Sequence, residues 1–181
     1  MKTSTTLSPV AMKFVLKWGE MGTKWGVNRT VAQIHALLYI SERPLTAAEI
    51  GETLSVAQSN VSTSLRELQG WKLIKIVHVL GDRRDHFESM KDVWEMFKVV
   101  LDERKKREVD PTLAMLNECV AELDSTGKDV YIAQRLISMR EFFEDASGWY
   151  DEIKPIPVRV LRKLMRLGGK VTKLLAGFSA N

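Results

Sequence analysis

The chain has 181 residues, 45% of them hydrophobic and 28% charged, a composition that suits a globular protein and excludes a disordered one. Lys and Arg number 27 against 23 Asp and Glu, a net charge of +4, so where the charges fall says more than their sum. A single Cys excludes a disulfide framework, and no apolar run approaches the roughly 20 residues that span a bilayer. A cytoplasmic protein without a membrane span is expected. Between Lys2 and Arg29 the only acid is Glu20. After Glu152 there is none, while Lys154, Arg159, Arg162, Lys163, Arg166, Lys170 and Lys173 follow one another. No internal repeat is visible, which excludes a solenoid.

Helical signals come first. Ser8-Pro9 places an N-cap residue before Pro at the first helical position, and Phe14, Trp18, Met21 and Trp25 then share a face until Gly26. Val31, Ile34, Leu37, Leu38 and Ile40 mark a second helix that must stop near Arg43-Pro44, because the residue before Pro is pushed out of helical geometry. Thr46-Ala47-Ala48-Glu49 spells a capping box, and Ser55-Val56-Ala57-Gln58 repeats the spelling nine residues later. Two short helices are therefore predicted around a tight turn at Leu54. The second carries Val61, Leu65 and Leu68 on its core face and ends at Gly70.

Leu73 to Leu80 reads as a strand, Gly81-Asp82-Arg83-Arg84 as a polar turn, and Asp85 to Ser89 as the returning strand. A helix–turn–helix followed by a hairpin is a winged helix. Beyond Lys91 the chain is helical again. Trp94, Phe97 and Leu101 share a face, and Asp110-Pro111 opens a helix with Leu113, Leu116, Val120 and Leu123 that Gly127 breaks. A long helix from about Asp129 to Trp149 follows. Ile153 to Pro157 links it to a basic amphipathic helix with Val160, Leu164, Leu167, Val171, Leu174 and Phe178 as its stripe and Gly168-Gly169 at its middle. That stripe suits either packing in a dimer, the preferred reading, or a membrane surface. The predicted fold is mainly α with a small β-hairpin wing: residues 1–26 an N-terminal helix, 27–90 a winged helix-turn-helix domain, and 91–181 a helical region that ends in the basic helix.

The second short helix carries the chemistry. Opposite its core face stand Gln58, Ser59, Ser62, Thr63 and Arg66, with Asn60 on the flank. Short hydrogen-bonding side chains and one guanidinium suit close approach to base edges and phosphates in the major groove. An ordinary solvated face would hold more Lys and Glu, since Ser and Thr are poor helix formers. On the hairpin, Arg83 and Arg84 can enter the narrow minor groove, with Asp82 holding one of them in a fixed rotamer.

The stretch LTAAEIGETLSVAQSNVSTSLRELQGWKLI followed by VHVLGDRRDHF resembles the winged-helix domain of the MarR superfamily, with Asp82-Arg83-Arg84 similar to its wing signature. WGVNRTVAQIHALLYIS upstream and KDVWEMFKVVLDERKKREVDPTL downstream look closer to the GbsR branch, and the resemblance covers about Leu7 to Leu123. It implies a homodimeric transcriptional regulator, more often a repressor, on a pseudo-palindromic double-stranded DNA operator, with residues 27–90 as its DNA-binding domain, 1–26 as part of the dimer lobe and 91–181 as the helical dimerisation and effector region. Some members of that branch resemble repressors that answer to choline or related osmoprotectants. Trp94 and Phe97, one turn apart at the start of the helix after the wing, are the candidate effector residues, because π faces hold quaternary ammonium groups; core packing is the preferred reading of the pair. Phe14, Trp18 and Trp25 are expected to pack in the dimer lobe with Phe142 and Phe143. The rival reading is a winged-helix protein-interaction module that does not touch DNA, for which the wing arginines and the acid-free helix face have no use.

Other residues offer little. His78 and His86 fall on opposite sheet faces if Leu80 faces Asp85, and no Cys or Glu stands at ligand spacing, so no metal is expected. Cys119 sits among Leu116, Val120 and Leu123 and reads as core. No phosphate loop, nucleophile elbow or placed carboxylate pair is present, so neither an enzyme nor a cofactor is expected.

Overall fold

Residues 7–126, 130–163, 165, 167 and 168 are described in the structure, a computed structural model. In chain order they form α1 (Pro9–Lys24), α2 (Arg29–Ile40), β1 (Leu45–Thr46), α3 (Ala47–Leu54), α4 (Gln58–Gly70), β2 (Ile74–Val79), β3 (Asp82–Ser89), α5 (Val93–Arg104), a π-helical turn (Lys105–Val109), α6 (Asp110–Thr126) and α7 (Val130–Ile153). Helices dominate, beside one three-stranded antiparallel sheet. The chain divides into two compact units, Met1–Val99 and Val100–Asn181.

In the first unit Ser8 caps α1 by accepting from the Ala11 amide at 3.2 Å, and Pro9 opens the helix. Close approach to α2 rests on two glycines: a Cβ at Gly22 would stand 2.5 Å from the Ala32 Cβ, and one at Gly19 2.6 Å from the Gln33 side chain. Val15 is buried, and Phe14 and Trp18 pack against the winged-helix core, so within one chain α1 shares the compact unit of the winged helix. Phe14 and Trp18 lie 5.6 Å apart, and Trp18 meets Trp25 edge-on at 5.9 Å. The core itself is built from Ile34, Leu37 and Leu38 of α2, Ile50 of α3, Val61, Leu65 and Leu68 of α4, and Phe87 of β3.

The first capping box forms as spelled. The Glu49 amide donates to Thr46 Oγ1 at 3.3 Å, and the Thr46 amide donates to the Glu49 carboxylate at 2.8 Å. The second does not. Ser55 sits at φ 54° as the C-cap of α3, where the chain must turn left-handed to leave the helix. The N-cap of α4 is Ala57, without a side-chain cap hydrogen bond. Gly51 makes the turn tight, since a Cβ there would stand 3.1 Å from the Val56 carbonyl oxygen.

The hairpin also departs from expectation. The strands order β1-β3-β2, so the two residues Leu45–Thr46 add an unpredicted third strand. Ile76 faces Phe87, Val77 faces His86, and Val79 faces Asp82, with a shift between Val77 and Val79. The reversal is thus made by Leu80 and Gly81 alone, and Asp82, Arg83 and Arg84 belong to β3 and not to the turn. Gly81 explains the difference: at φ +84° it takes the left-handed second position of the turn, which leaves the next residues extended.

In the second unit the widened turn Lys105–Val109 precedes Pro111, whose ring would clash with the carbonyl four residues back and which has no amide to donate. On α6 Leu116 and Val120 are buried, whereas Cys119 is only half-buried, its Sγ 3.8 Å from the Met115 sulfur. The thiol is thus flanked by the small core of α6 without belonging to it. Tyr150 of α7 donates to Asp102 at 2.6 Å, and Lys154 reaches the same carboxylate at 2.9 Å. Phe142 and Phe143 meet edge-on at 5.6 Å. Residues 158–163 are helical, and Val160 and Leu167 are exposed. Gly127, Leu164, Val171, Leu174 and Phe178, with Arg166, Gly169, Lys170 and Lys173, lie outside the described residues.

Candidate nucleic-acid interface

The polar face of α4 is presented as its sequence suggests. Val61, Ser64, Leu65 and Leu68 are buried, which turns Gln58, Ser59, Asn60, Thr63 and Arg66 to solvent and leaves Ser62 half-buried. Ser62 Oγ donates to the Gln58 carbonyl at 2.9 Å, and Arg66 Nε donates to the Ser62 carbonyl at 3.3 Å. The guanidinium is therefore folded back along the helix on an exposed side chain. With Ala57 at the N-cap, the first amides of α4 have no side-chain acceptor from that residue, the arrangement in which a helix start receives an anion most readily.

On the wing, Asp82 holds Arg84. Its carboxylate accepts from Arg84 Nε at 3.0 and 3.1 Å, from Arg84 Nη2, and from the Arg84 backbone amide at 3.0 Å. The Arg84 hydrogen bonds keep the Asp82 carboxyl well below the usual carboxylate range. Asp82 thus orients Arg84 and not Arg83, because residues two apart on a strand share a face and neighbours do not. Arg83 is exposed on the other face. His86 Nε2 stands 3.6 Å from Asp82, and its Nδ1 lies 2.9 Å from the Arg84 carbonyl. His86 is buried and His78 exposed, so the two imidazoles do not meet, and no cluster of three metal-ligating side chains occurs among the described residues.

At the start of α5 the buried contact is made by Met96, with Val99 packed on the same core. Trp94 is half-buried and Phe97 is 46% exposed, so Phe97 is not the core residue that the preferred reading expects. Asp92 caps this helix by accepting from the amides of Trp94 at 2.8 Å and Glu95 at 3.1 Å. Sequence reasoning missed Leu80, which it placed in a strand and which the structure places, fully exposed, at the apex of the wing. The signal was the dipeptide Leu80-Gly81, a turn whose only special residue is its second.

Comparison with known proteins agrees with this geometry. A sequence model of the MarR family matches residues 25–85, from the end of α1 into β3. The chain is 23% identical over 134 residues to the HTH-type transcriptional repressor GbsR of Bacillus subtilis (strain 168), covering 72% of this chain and 74% of that protein. It is 20% identical over 138 residues to the putative HTH-type transcriptional regulator YvaV of the same organism, covering 76% of this chain and 78% of that one. A crystal structure described as a transcriptional regulator shares the fold with a TM-score of 0.61 at 20% identity, over 81% of this chain and 96% of that one. No helix among the described residues is long and apolar enough to cross a membrane. With a helix–turn–helix and a three-stranded wing, residues 25–85 form a winged-helix domain similar to the MarR family, and the chain resembles the transcriptional regulators GbsR and YvaV over most of its length.

Proposed function

We propose that the chain acts in the cytoplasm as a homodimeric repressor that binds a pseudo-palindromic operator, with α4 in the major groove and the wing in the adjacent minor groove. The observation that carries this reading is the outward face of α4: Gln58, Ser59, Asn60, Thr63 and Arg66 are exposed together without an acid among them. Arg66 supplies hydrogen-bond donors, the Ser62 hydroxyl keeps its lone pairs to accept, Arg83 and Arg84 supply charge to the wing, and Asp82 fixes Arg84. The repressor GbsR among the relatives supports the sign of regulation. Two copies would present their recognition helices about 34–36 Å apart, one turn of DNA. The test is selection of duplexes from a random pool by the full-length protein, followed by titration of Arg66→Ala. Enrichment of an inverted repeat and a loss of about 1–3 kcal/mol in the variant are expected. A folded variant with wild-type affinity would take α4 out of the interface.

For the effector, Trp94 and Phe97 are proposed to hold a quaternary ammonium compound such as choline. The exposed ring of Phe97 and the half-buried indole of Trp94, one helical turn apart, support this. A cation held over desolvated rings gains about 2 kcal/mol. Calorimetry with choline and with glycine betaine, on the wild type and on Trp94→Ala, decides it: binding that survives loss of the indole would place the effector elsewhere.

A further inference from the structure

We infer that Leu80 is a DNA-contacting residue, an apolar wedge that the wing drives into the minor groove ahead of its arginines. The inference rests on the DNA-binding function proposed for this chain and adds a residue and a mode of contact to it. Leu80 is 103% exposed, as open as an isolated residue, and Val79 beside it is 41% exposed. An exposed Leu is unremarkable when scattered on a surface, but this one occupies a turn. The first position of a two-residue turn ordinarily takes a small polar residue that solvates the reversal. Leu80 gives the folded chain no packing in return for the apolar surface that it shows to water.

The shape and the charges around it identify the occupant. Val79 pairs with Asp82, so the tip beyond that pair is two residues wide, and Gly81 at φ +84° keeps it narrow. A whole ribbon is too wide for a minor groove about 6 Å across, but a single side chain at so narrow a tip can reach into it. Behind the tip Arg83 is exposed and Arg84 is fixed by Asp82, so a polyanion that met the leucine would find guanidinium groups on both faces of the hairpin. An apolar protein partner would gain nothing from that pair of charges. Proteins that read the minor groove often insert such a side chain between base steps and unstack them.

An apolar wedge and a phosphate contact differ in their response to salt. Removal of a wedge lowers affinity at every salt concentration, whereas removal of a phosphate contact flattens the salt slope by about 0.9. The experiment uses the full-length protein and a duplex that it selects from a random pool, with 2-aminopurine placed in turn at the steps beneath the wing. The expected result is an unstacking signal at one step with the wild type, and loss of that signal with Leu80→Ala. Affinity should fall about tenfold with an unchanged salt slope, since about half of the transfer energy of a buried Leu is lost. The position is fully exposed, so the variant should keep the circular dichroism of the parent. A wild type that binds while Leu80→Ala binds equally tightly, with the same fluorescence, overturns the wedge and leaves the DNA-binding reading intact. A wild type that enriches no sequence overturns both.

Discussion

Lys91 ties the exit of the wing to the end of α2: its ammonium donates to the Leu38 carbonyl at 3.0 Å, and also to the carbonyls of Tyr39 and Ser41, each at 2.9 Å. Carbonyls in the last turn of a helix have no amide partner further along and carry the negative end of the helix dipole, so one cation answers three of them. Lys91 lies between β3 and α5, and the bond therefore fixes how the chain leaves the sheet. Lys91→Met keeps the aliphatic stem and removes the donor. The variant should lose about 1–2 kcal/mol of unfolding free energy in a urea titration. An unchanged midpoint would show that water replaces the ammonium at no cost.

The two glycines of α1 make a separate prediction. A methyl group at Gly22 would meet the Ala32 Cβ at 2.5 Å, far inside van der Waals contact, and both atoms sit on helix backbones that cannot yield separately. Gly22→Ala should therefore destabilise by about 1–3 kcal/mol, more than the roughly 1 kcal/mol that Ala gains in helix propensity. Gly148 in α7 provides the contrast, because a Cβ there meets nothing within 4 Å. Gly148→Ala should stabilise by about 0.5–1 kcal/mol. Thermal melts of the two variants should move in opposite directions. If both rise, α1 does not close onto α2 as described.

For Asp82, charge and orientation predict opposite signs. The carboxylate is ionised at any working pH, because the Arg84 hydrogen bonds hold its pKa low, and by charge alone its removal should tighten binding to a polyanion. Orientation predicts the reverse, since Arg84 would lose the fork that fixes it. Asp82→Ala is expected to bind the selected duplex severalfold more weakly, whereas Arg84→Ala should also flatten the salt slope by about 0.9. Tighter binding by Asp82→Ala would reduce this carboxylate to a bystander.

The winged helix was legible from spacing because its signals are local. Thr46 and Glu49 form their box through groups three residues apart, and Val61, Leu65 and Leu68 reach the core because the helical period puts them on one side. Where two uses compete for one residue, the spelling misleads. Ser55 could cap α4 or end α3, and the need for a left-handed residue at φ 54° decided it. The turn was misplaced because Gly81 serves equally well as the first or the second residue of a reversal, and only the cross-strand pair of Val79 with Asp82 distinguishes the two. Strand β1 is two residues long and has no period to read. The packing of α1 depends on the absence of side chains at Gly19 and Gly22, which a search for apolar stripes passes over. The outward face of α4 was legible because burial of one helix face dictates exposure of the other, although Ser62 is half-buried. How far each of them touches DNA depends on a partner that the sequence does not contain.

His35 gives the chain a pH dependence of its own. It lies on α2, 6% exposed, and its Nε2 has no hydrogen-bond partner. Burial disfavours the imidazolium and pushes the pKa down to about 4, from 6.5 for a solvated imidazole. The unfolded chain therefore takes up a proton that the folded chain refuses as the pH falls below 6.5. Stability from this residue is whole above that value and is lost progressively down to about pH 4, and a difference of that size is worth about 3 kcal/mol. Glu49 works in a lower window: partial burial raises its pKa, but the hydrogen bonds from Arg43 and Thr46 prevail and bring it to about 2, so its contribution is lost only below pH 4.5. The two are separable by pH. Unfolding free energies of the wild type and of His35→Leu, measured from pH 7 to pH 4.5, should diverge, with the wild type falling more steeply and the variant staying nearly level. Parallel curves would mean that the folded state protonates His35 readily, and that the imidazole is less enclosed than its 6% exposure implies.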